Sequence, residues 1–486
     1  MITMKKIIKY TLIVLGTLAF TACEDLLDVN TDPLVATSAN ADLLFPDVLV
    51  SLSNTRTVEI SLGSGTIAQH YEGAFGVFGN AALGTLSTFT TGNTWSALYL
   101  TCLKNLVLAE QEAASAEPPN NNIVAQSRIL QGFVYYNLTT LWEDIPFTEA
   151  VGEATEPVSD RQEVVLNGVV SMMDEATALI DRDPGSPRVN SGDLLYAGDM
   201  EKWERFANSI KLKSLMLIAN KDASVTSQIA STMSQPLITS VEDEAEFQYF
   251  NNPGDYNPIW ATLNNFAGGA NPEWIMGSTT LQGVLEEMND PRLSTYYDES
   301  DEPARVGTGN FAPGATPGSF GEFADHSIVS FNIIRPDAPD RYITSSEIVL
   351  MMSEAVAKGW APGGMSEADR LYRIGIALSM VYYDGKPGQI SPEESIGFIN
   401  SLPALASLNP GDAVAAIQLQ IYVATFFRTP EAWTQWRRTK VPDLVLPRGS
   451  LLSDIMRRWA YPPDEKGANR NTPSDQPLDT PMWFEN

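Results

Sequence analysis

Apolar positions in this chain recur at helical spacing through most of its length. Val165, Val169, Met172, Met173, Ala176 and Ile180 fall at i, i+4, i+7, i+8, i+11 and i+15, which places them on one helix face. Ser159 and Gln162 predict a capping box ahead of that helix. Trp203, Phe206, Ala207, Ile210 and Leu217 form the next stripe, with Asp199 as its predicted N-cap. Residues 123–142 are apolar on most sides, so that helix should be largely buried, with residues 95–114 as its partner.

The second half repeats the theme. Residues 345–360 and 366–383 read as helices, the latter with Ser366 as N-cap. Ser391-Pro392-Glu393-Glu394 starts another, with proline at the first helical position. Residues 411–427 follow, and Thr429-Pro430-Glu431 opens the next helix by the same cap-then-proline logic. These are helix pairs of roughly tetratricopeptide length without a clean repeat consensus. Stacked pairs of this kind bury a continuous core. Between them, residues 59–94, 235–280, 298–340 and 461–486 are rich in Gly, Pro, Asn, Ser or Thr. Structureless loops this long are uncommon unless they are functional. The expected fold is all-α: a scaffold of tetratricopeptide-like helix pairs carrying a large, irregular, loop-rich face.

The N-terminus follows a different pattern. Lys5, Lys6 and Lys9 precede an apolar run from Tyr10 to Phe20, and Thr21-Ala22 lead to Cys23. That is the layout of a secretory signal. The run is shorter than the ~20 residues of a spanning helix. Small residues before a cysteine resemble a bacterial lipoprotein signal, in which the thiol is acylated and Cys23 becomes the first residue. An uncleaved anchor, or a cytosolic chain with Cys23 as a buried thiol, are the alternatives. The expected organisation is a signal peptide at 1–22, a lipidated tether at 23–45 and a single domain at 46–486. Acidic Glu24 and Asp25 after the cysteine hint at display on the outer leaflet. "DVNTD" at 28–32 has calcium-loop spacing, but Pro33 and Ala39 stand where such a loop needs Gly and Glu.

Charge narrows the partners. The chain of 486 residues carries 31 Lys+Arg against 60 Asp+Glu, formally −29. Such a surface repels nucleic acid, which is set aside as a partner. Two cysteines (Cys23, Cys102) and two histidines (His70, His326) exclude a disulfide framework and a Cys/His zinc cluster. Catalytic motifs are missing: no H-E-x-x-H, G-x-S-x-G, Walker A or G-x-G-x-x-G. The expectation is a non-enzyme without cofactor or resident metal, with structural calcium in the loops left open.

What remains is an inventory for binding neutral polar ligands by ring platforms and amide hydrogen bonds. Residues 249–274 hold Tyr249, Phe250, Tyr256, Trp260, Phe266 and Trp274 among asparagines. Residues 71–89 and 311–331 add further rings. Phe75, Phe78, Tyr256, Trp260, Trp274 and Phe320 are the candidate ligand-contacting residues. Packing of any one ring onto the scaffold is the competing reading.

Several stretches resemble one family. "RILQGFVYYNLTTLWEDIPFTEA" (128–150) is similar to the buried helix and following turn of the SusD/RagB-like nutrient-binding lipoproteins, where Gly-Asp-x-Pro-Tyr-x-Glu-Ala is usual. Asp144, Ile145, Pro146, Glu149 and Ala150 match, and Glu143 and Phe147 differ. "YAGDMEKWERFANSIKLK" (196–213) resembles another family helix, particularly of the SusD-like subgroup. "MNDPRLSTYY" (288–297), "SEIVLMMSEAVAKGW" (346–360), "EAWTQWRRTKVPDL" (431–444) and "YPPDEKGAN" (461–469) are similar as well. The resemblance implies an outer-membrane, lipid-anchored protein facing the cell exterior. It would capture a nutrient and deliver it to a SusC-like, TonB-dependent transporter. The implied ligand is an oligosaccharide, or in other members a peptide. A secreted glycoside hydrolase and a non-ligand-binding interaction scaffold stay open as readings from other classes.

Overall fold

In the computed structural model, which describes residues 40–73, 79–267, 275–300, 309–319 and 325–485, the apolar stripes are helices. The signal peptide, Cys23, Phe75, Phe78, Trp274 and Phe320 lie outside these residues. Helix α1 (Ala41–Thr55) buries Phe45, Val48, Leu49 and Leu52, and runs through a wide turn at Arg56–Ile60 into α2 (Ser61–Gly65). It starts inside the segment expected to be tether, because Ala41 and Phe45 already belong to the core.

Next come α3 (Thr88–Ser96), a second wide segment at Ala97–Leu103, and α4 (Lys104–Ser115). Residues 59–94 are therefore partly helical rather than irregular throughout. Helix α5 (Asn121–Trp142) is buried along nearly all its length, as its all-round apolar pattern requires. It packs between α4 and α6 (Gln162–Leu179), and α6 in turn packs on α7 (Met200–Ile218). Helix α8 (Thr226–Thr232) closes this run.

Shorter elements follow: α9 (Pro258–Ala267), α10 (Thr279–Met288) and α11 (Leu293–Tyr296). A second set of pairs is built from α12 (Ser345–Ala357), α13 (Gly364–Val381), α14 (Pro392–Ser401), α15 (Pro410–Ala424) and α16 (Thr429–Thr439), before α17 (Pro463–Ala468). Helix α12 touches α13, α15 and, across the two sets, α7. Glycines permit the closest helix pairs. A Cβ at Gly132 would collide with Met173 of α6, and one at Gly375 with Leu350 of α12. The same device serves α5–α6 and α12–α13.

Strands are short. β1 (Tyr71–Gly73), β5 (Ile275–Gly277), β7 (Ile328–Val329) and β6 (Tyr297–Asp298) form one antiparallel sheet in that order. β2 (Ile145–Pro146) pairs with β3 (Ser159–Asp160), and β4 (Ala245–Phe247) with β8 (Asp340–Ile343). Residues Ala41–Asn486 form one compact unit, all-α in class.

Local caps hold where the chain satisfies them locally. Asp199 accepts from the amides of Glu201 and Lys202, and Ser391 forms a reciprocal box with Glu394. Three expected caps shift, two of them because tertiary partners claim the residues. Ser159 lies in β3, and Arg161 caps α6 while Gln162 bonds the Thr139 carbonyl. Ser366 lies inside α13, which starts after Gly363. Thr429 turns its hydroxyl to Ser61 and Ser64, leaving Arg428 at the cap position of α16.

The family-like stretches are joints of this scaffold. Asp193 accepts from the amides of Leu195, Tyr196 and Gly198 and from Trp203 Nε1 at 2.7 Å, fixing the entry into α7. Asp144 accepts from the amide of Gln162, and Tyr461 donates to the Asp144 carbonyl. Glu354 of α12 takes Arg438 from α16, Gln418 from α15 and Lys358 from its own helix. Burial opposes ionisation of Glu354, but Arg438 and Lys358 outweigh it and hold the carboxyl at about 2. Asp290 and Arg292 pair with both side chains fully buried, and Arg292 also reaches Ser379 and Gln420.

Candidate functional site

The β4–β8 pair carries two excursions out of the scaffold. Its root is anchored by Arg428, whose guanidinium bonds the carbonyls of Arg341 and Tyr342 and the Glu347 carboxylate. Arg56 adds bonds to Asp340 and Glu431. Burial pushes the Asp340 carboxyl up to about 6 despite the guanidinium beside it.

From β4 the chain enters a tight turn closed by the Phe250 amide on the Asp255 carbonyl, with Gly254 at φ +99. Asn257 then anchors it. Its amide N donates to the Pro336 carbonyl at 2.7 Å, and its side chain donates to the Ala338 carbonyl at 2.8 Å. Its Oδ1 accepts from the Ile259 amide, which opens α9. This brings the 250–260 and 331–339 segments together.

At the entry to α9 the structure pairs two of the predicted residues. Tyr256 and Trp260 stand with ring centroids 4.8 Å apart at 57°. Both are half-buried, and Trp260 rests on a second hydrophobic cluster that includes Ile259, Leu263 and Tyr383. Trp260, held on the core with part of its surface toward solvent, and Tyr256 against it offer ring faces suited to apolar sugar faces. Among other rings named from the sequence, Tyr71 and Tyr249 are core residues, whereas Phe89, Phe250 and Phe331 are exposed.

Beside this pair lies a small cleft of about 80 Å³, partly open to solvent. Asn257 and Ile259 form one wall, Asn332, Ile333 and Arg335 another, and Tyr382, Tyr383 and Lys386 a third. Arg56, Arg341 and Arg428 reach its floor, where Asp340 is the one carboxylate in the lining. Arg341 Cζ and Lys386 Nζ lie 3.2 and 3.5 Å from the centroid of Tyr382. Two cations so close to one centroid take opposite faces of the ring. Burial depresses the Lys386 ammonium, and Arg341 and Arg335 add to the effect against the pull of Glu246 and Glu244. Asn332, Arg335, Tyr382 and Lys386 were not singled out from sequence. The one local signal was the Asp384-Gly385 turn after α13, which says nothing of the cleft.

Among the described residues no group of three or more His, Cys, Asp or Glu side chains could hold a metal ion, and no helix is long and apolar enough to cross a membrane.

A family model described as SusD-like, "Starch-binding associating with outer membrane", matches residues 34–462. The chain belongs to this SusD-like family. Solved SusD-like structures share the fold. A SusD-like protein of Bacteroidetes AC2a superposes with a TM-score of 0.79 at 20% identity, over 92% of this chain and 100% of that one. A chitin-binding protein gives 0.76 at 23% identity, covering 89% and 94%. A chitin-binding SusD homologue from Flavobacterium johnsoniae gives 0.74 at 20%, covering 90% and 98%. A comparison with curated proteins finds no match. At these identities the SusD-like neighbours establish architecture, so ligand chemistry rests on this chain's own residues.

Proposed function

We propose that this SusD-like protein is a non-catalytic, cell-surface glycan-binding lipoprotein, anchored through an acylated Cys23, that passes its ligand to a TonB-dependent outer-membrane transporter. The observation that carries the reading is the half-buried Tyr256–Trp260 ring pair, whose neighbours Asn257 and Ile259 line a polar cleft. Ring stacking and hydrogen bonds to hydroxyls are what that arrangement supplies. The family's starch-binding description and the chitin-binding neighbours support a carbohydrate over a peptide. The signal-like N-terminus and the family's association with the outer membrane support the location.

The test is a glycan microarray followed by calorimetry on the processed chain. Micromolar binding of an oligosaccharide, weakened by Tyr256→Ala, is the expected result. A well-folded chain that binds no saccharide would overturn the reading. For the transporter, a large barrel should co-purify from detergent-solubilised outer membrane, and its absence would remove the delivery step.

A further inference from the structure

Three donors face the cleft without an acceptor among the described residues. Arg335 uses Nε on Asp337 at 2.8 Å and Nη1 on the Asn332 carbonyl at 2.5 Å, which leaves Nη2. The half-buried Asn332 side-chain amide bonds no described residue, and it packs where a Cβ at position 388 would lie only 3.2 Å from its own Cβ. Gly388 (φ +81) thus lets Asn332 approach the turn that carries Lys386. The Lys386 ammonium is half-buried on the Tyr382 ring and has no carboxylate within ion-pair distance among the described residues. The neighbouring acids are already engaged: Glu244 and Glu246 both pair with Arg341. Neither acid lines the cleft.

The carboxylates nearest this half-buried ammonium, Glu246 and Glu244, act on it only through space, so a charged acceptor in contact offsets its desolvation more than a neutral hydroxyl does. A carboxylate supplies two oxygens for several charge-assisted bonds, each about twice as strong as a neutral one. We infer that the cleft between Asn332, Arg335 and Lys386 binds the carboxylate of a uronate residue, so that the ligand is an oligosaccharide carrying an isolated acidic sugar. The neutral part of that ligand lies on the Tyr256–Trp260 rings, since Asn257 and Ile259 of the same turn form the cleft wall. A polyuronate fits less well, because a chain of formal charge −29 repels a polyanion before it reaches the local cations. The inference rests on the glycan-binding reading.

The experiment uses the processed full chain on an array of neutral oligosaccharides and their singly uronate-substituted counterparts. The strongest hits should carry one uronate. Calorimetry then compares the best acidic hit with its methyl ester, which keeps the ring and removes the charge. The acid should bind at least about tenfold tighter than the ester, and Lys386→Met should bring the ratio near one. Arg335→Gln should lower it severalfold, and gives a second reading should the lysine variant fold poorly. Equal binding of acid and ester, or hits confined to neutral glycans, would overturn the uronate site and leave glycan binding standing. No saccharide bound at all would remove both.

Discussion

Asn257 donates its side-chain amide to the carbonyl of Ala338, 2.8 Å away and 81 residues along the chain. This bond and the backbone bond to Pro336 tie the ring-bearing turn to the opposite wall of the cleft. Asn257 is almost fully buried, so Asn257→Ala leaves the Ala338 carbonyl short of a donor. A loss of about 1–3 kcal/mol is expected in urea melts. Amide exchange should speed up in residues 250–260 while α5 and α12 keep their protection.

Tyr256 and Trp260 separate binding from stability. Trp260 packs on the second cluster, so Trp260→Ala should weaken ligand and also destabilise the fold by about 1–3 kcal/mol. Tyr256 lies outside that cluster, so Tyr256→Ala should cut glycan affinity about tenfold with little change in melting. Calorimetry and thermal denaturation on both variants check this. Unchanged affinity in the two would show that the rings serve packing alone.

Glu354 joins α12, α15 and α16 in one buried network. Glu354→Gln leaves Arg438 buried without its counter-charge, for a loss of about 3–5 kcal/mol at neutral pH. With its folded pKa held at about 2, the native carboxylate contributes stability above about pH 4.5, and that contribution is lost as pH falls through 2. Acid titration of native and variant chains should therefore converge at low pH.

Glu72 has the opposite sign. It is buried, accepts from Ser278 Oγ at 3.2 Å and the Gly318 amide at 3.3 Å, and has no cationic partner among the described residues. Burial pushes its carboxyl up to about 8 from an ordinary 4.5. Between those values the folded chain holds a proton that the unfolded chain releases. Stability from this group is complete below about pH 4.5 and is lost as pH rises through 8. Glu72→Gln should flatten that slope and be the more stable chain at pH 9, by on the order of 2–4 kcal/mol. An identical slope in the variant, from denaturant melts at pH 5, 7 and 9, would count against a neutral Glu72.

Cys23→Ala should abolish acyl labelling in cells and either release the protein or strand its precursor. Persistent labelling would place the lipid elsewhere.

Helices were legible because their signals are local. The stripe from Val165 to Ala176 and the caps at Asp199 and Ser391 depend only on neighbours within a turn or two. Caps failed at Ser159 and Thr429, where a β-pair or a helix far along the chain offered a better bond. Tyr256 and Trp260 were nameable from the run of aromatics among asparagines at 249–274, but that run did not show that these two rings meet.

By itself the sequence determined the all-α scaffold, the acidic charge, the signal-like N-terminus and the family. Periodicity, net charge and short-range order carry those properties along the chain. The cleft was decided only by the tertiary structure. Asn257, Arg335, Arg341 and Lys386 come from separate segments, and nothing in their spacing announces that they meet. Which acid answers which cation was decided there as well. Glu244 and Glu246 neutralise Arg341 from an adjacent strand, and Lys386 is left facing the cleft. That follows from packing, because a charge is paired or left over according to what folding sets within a few ångströms of it.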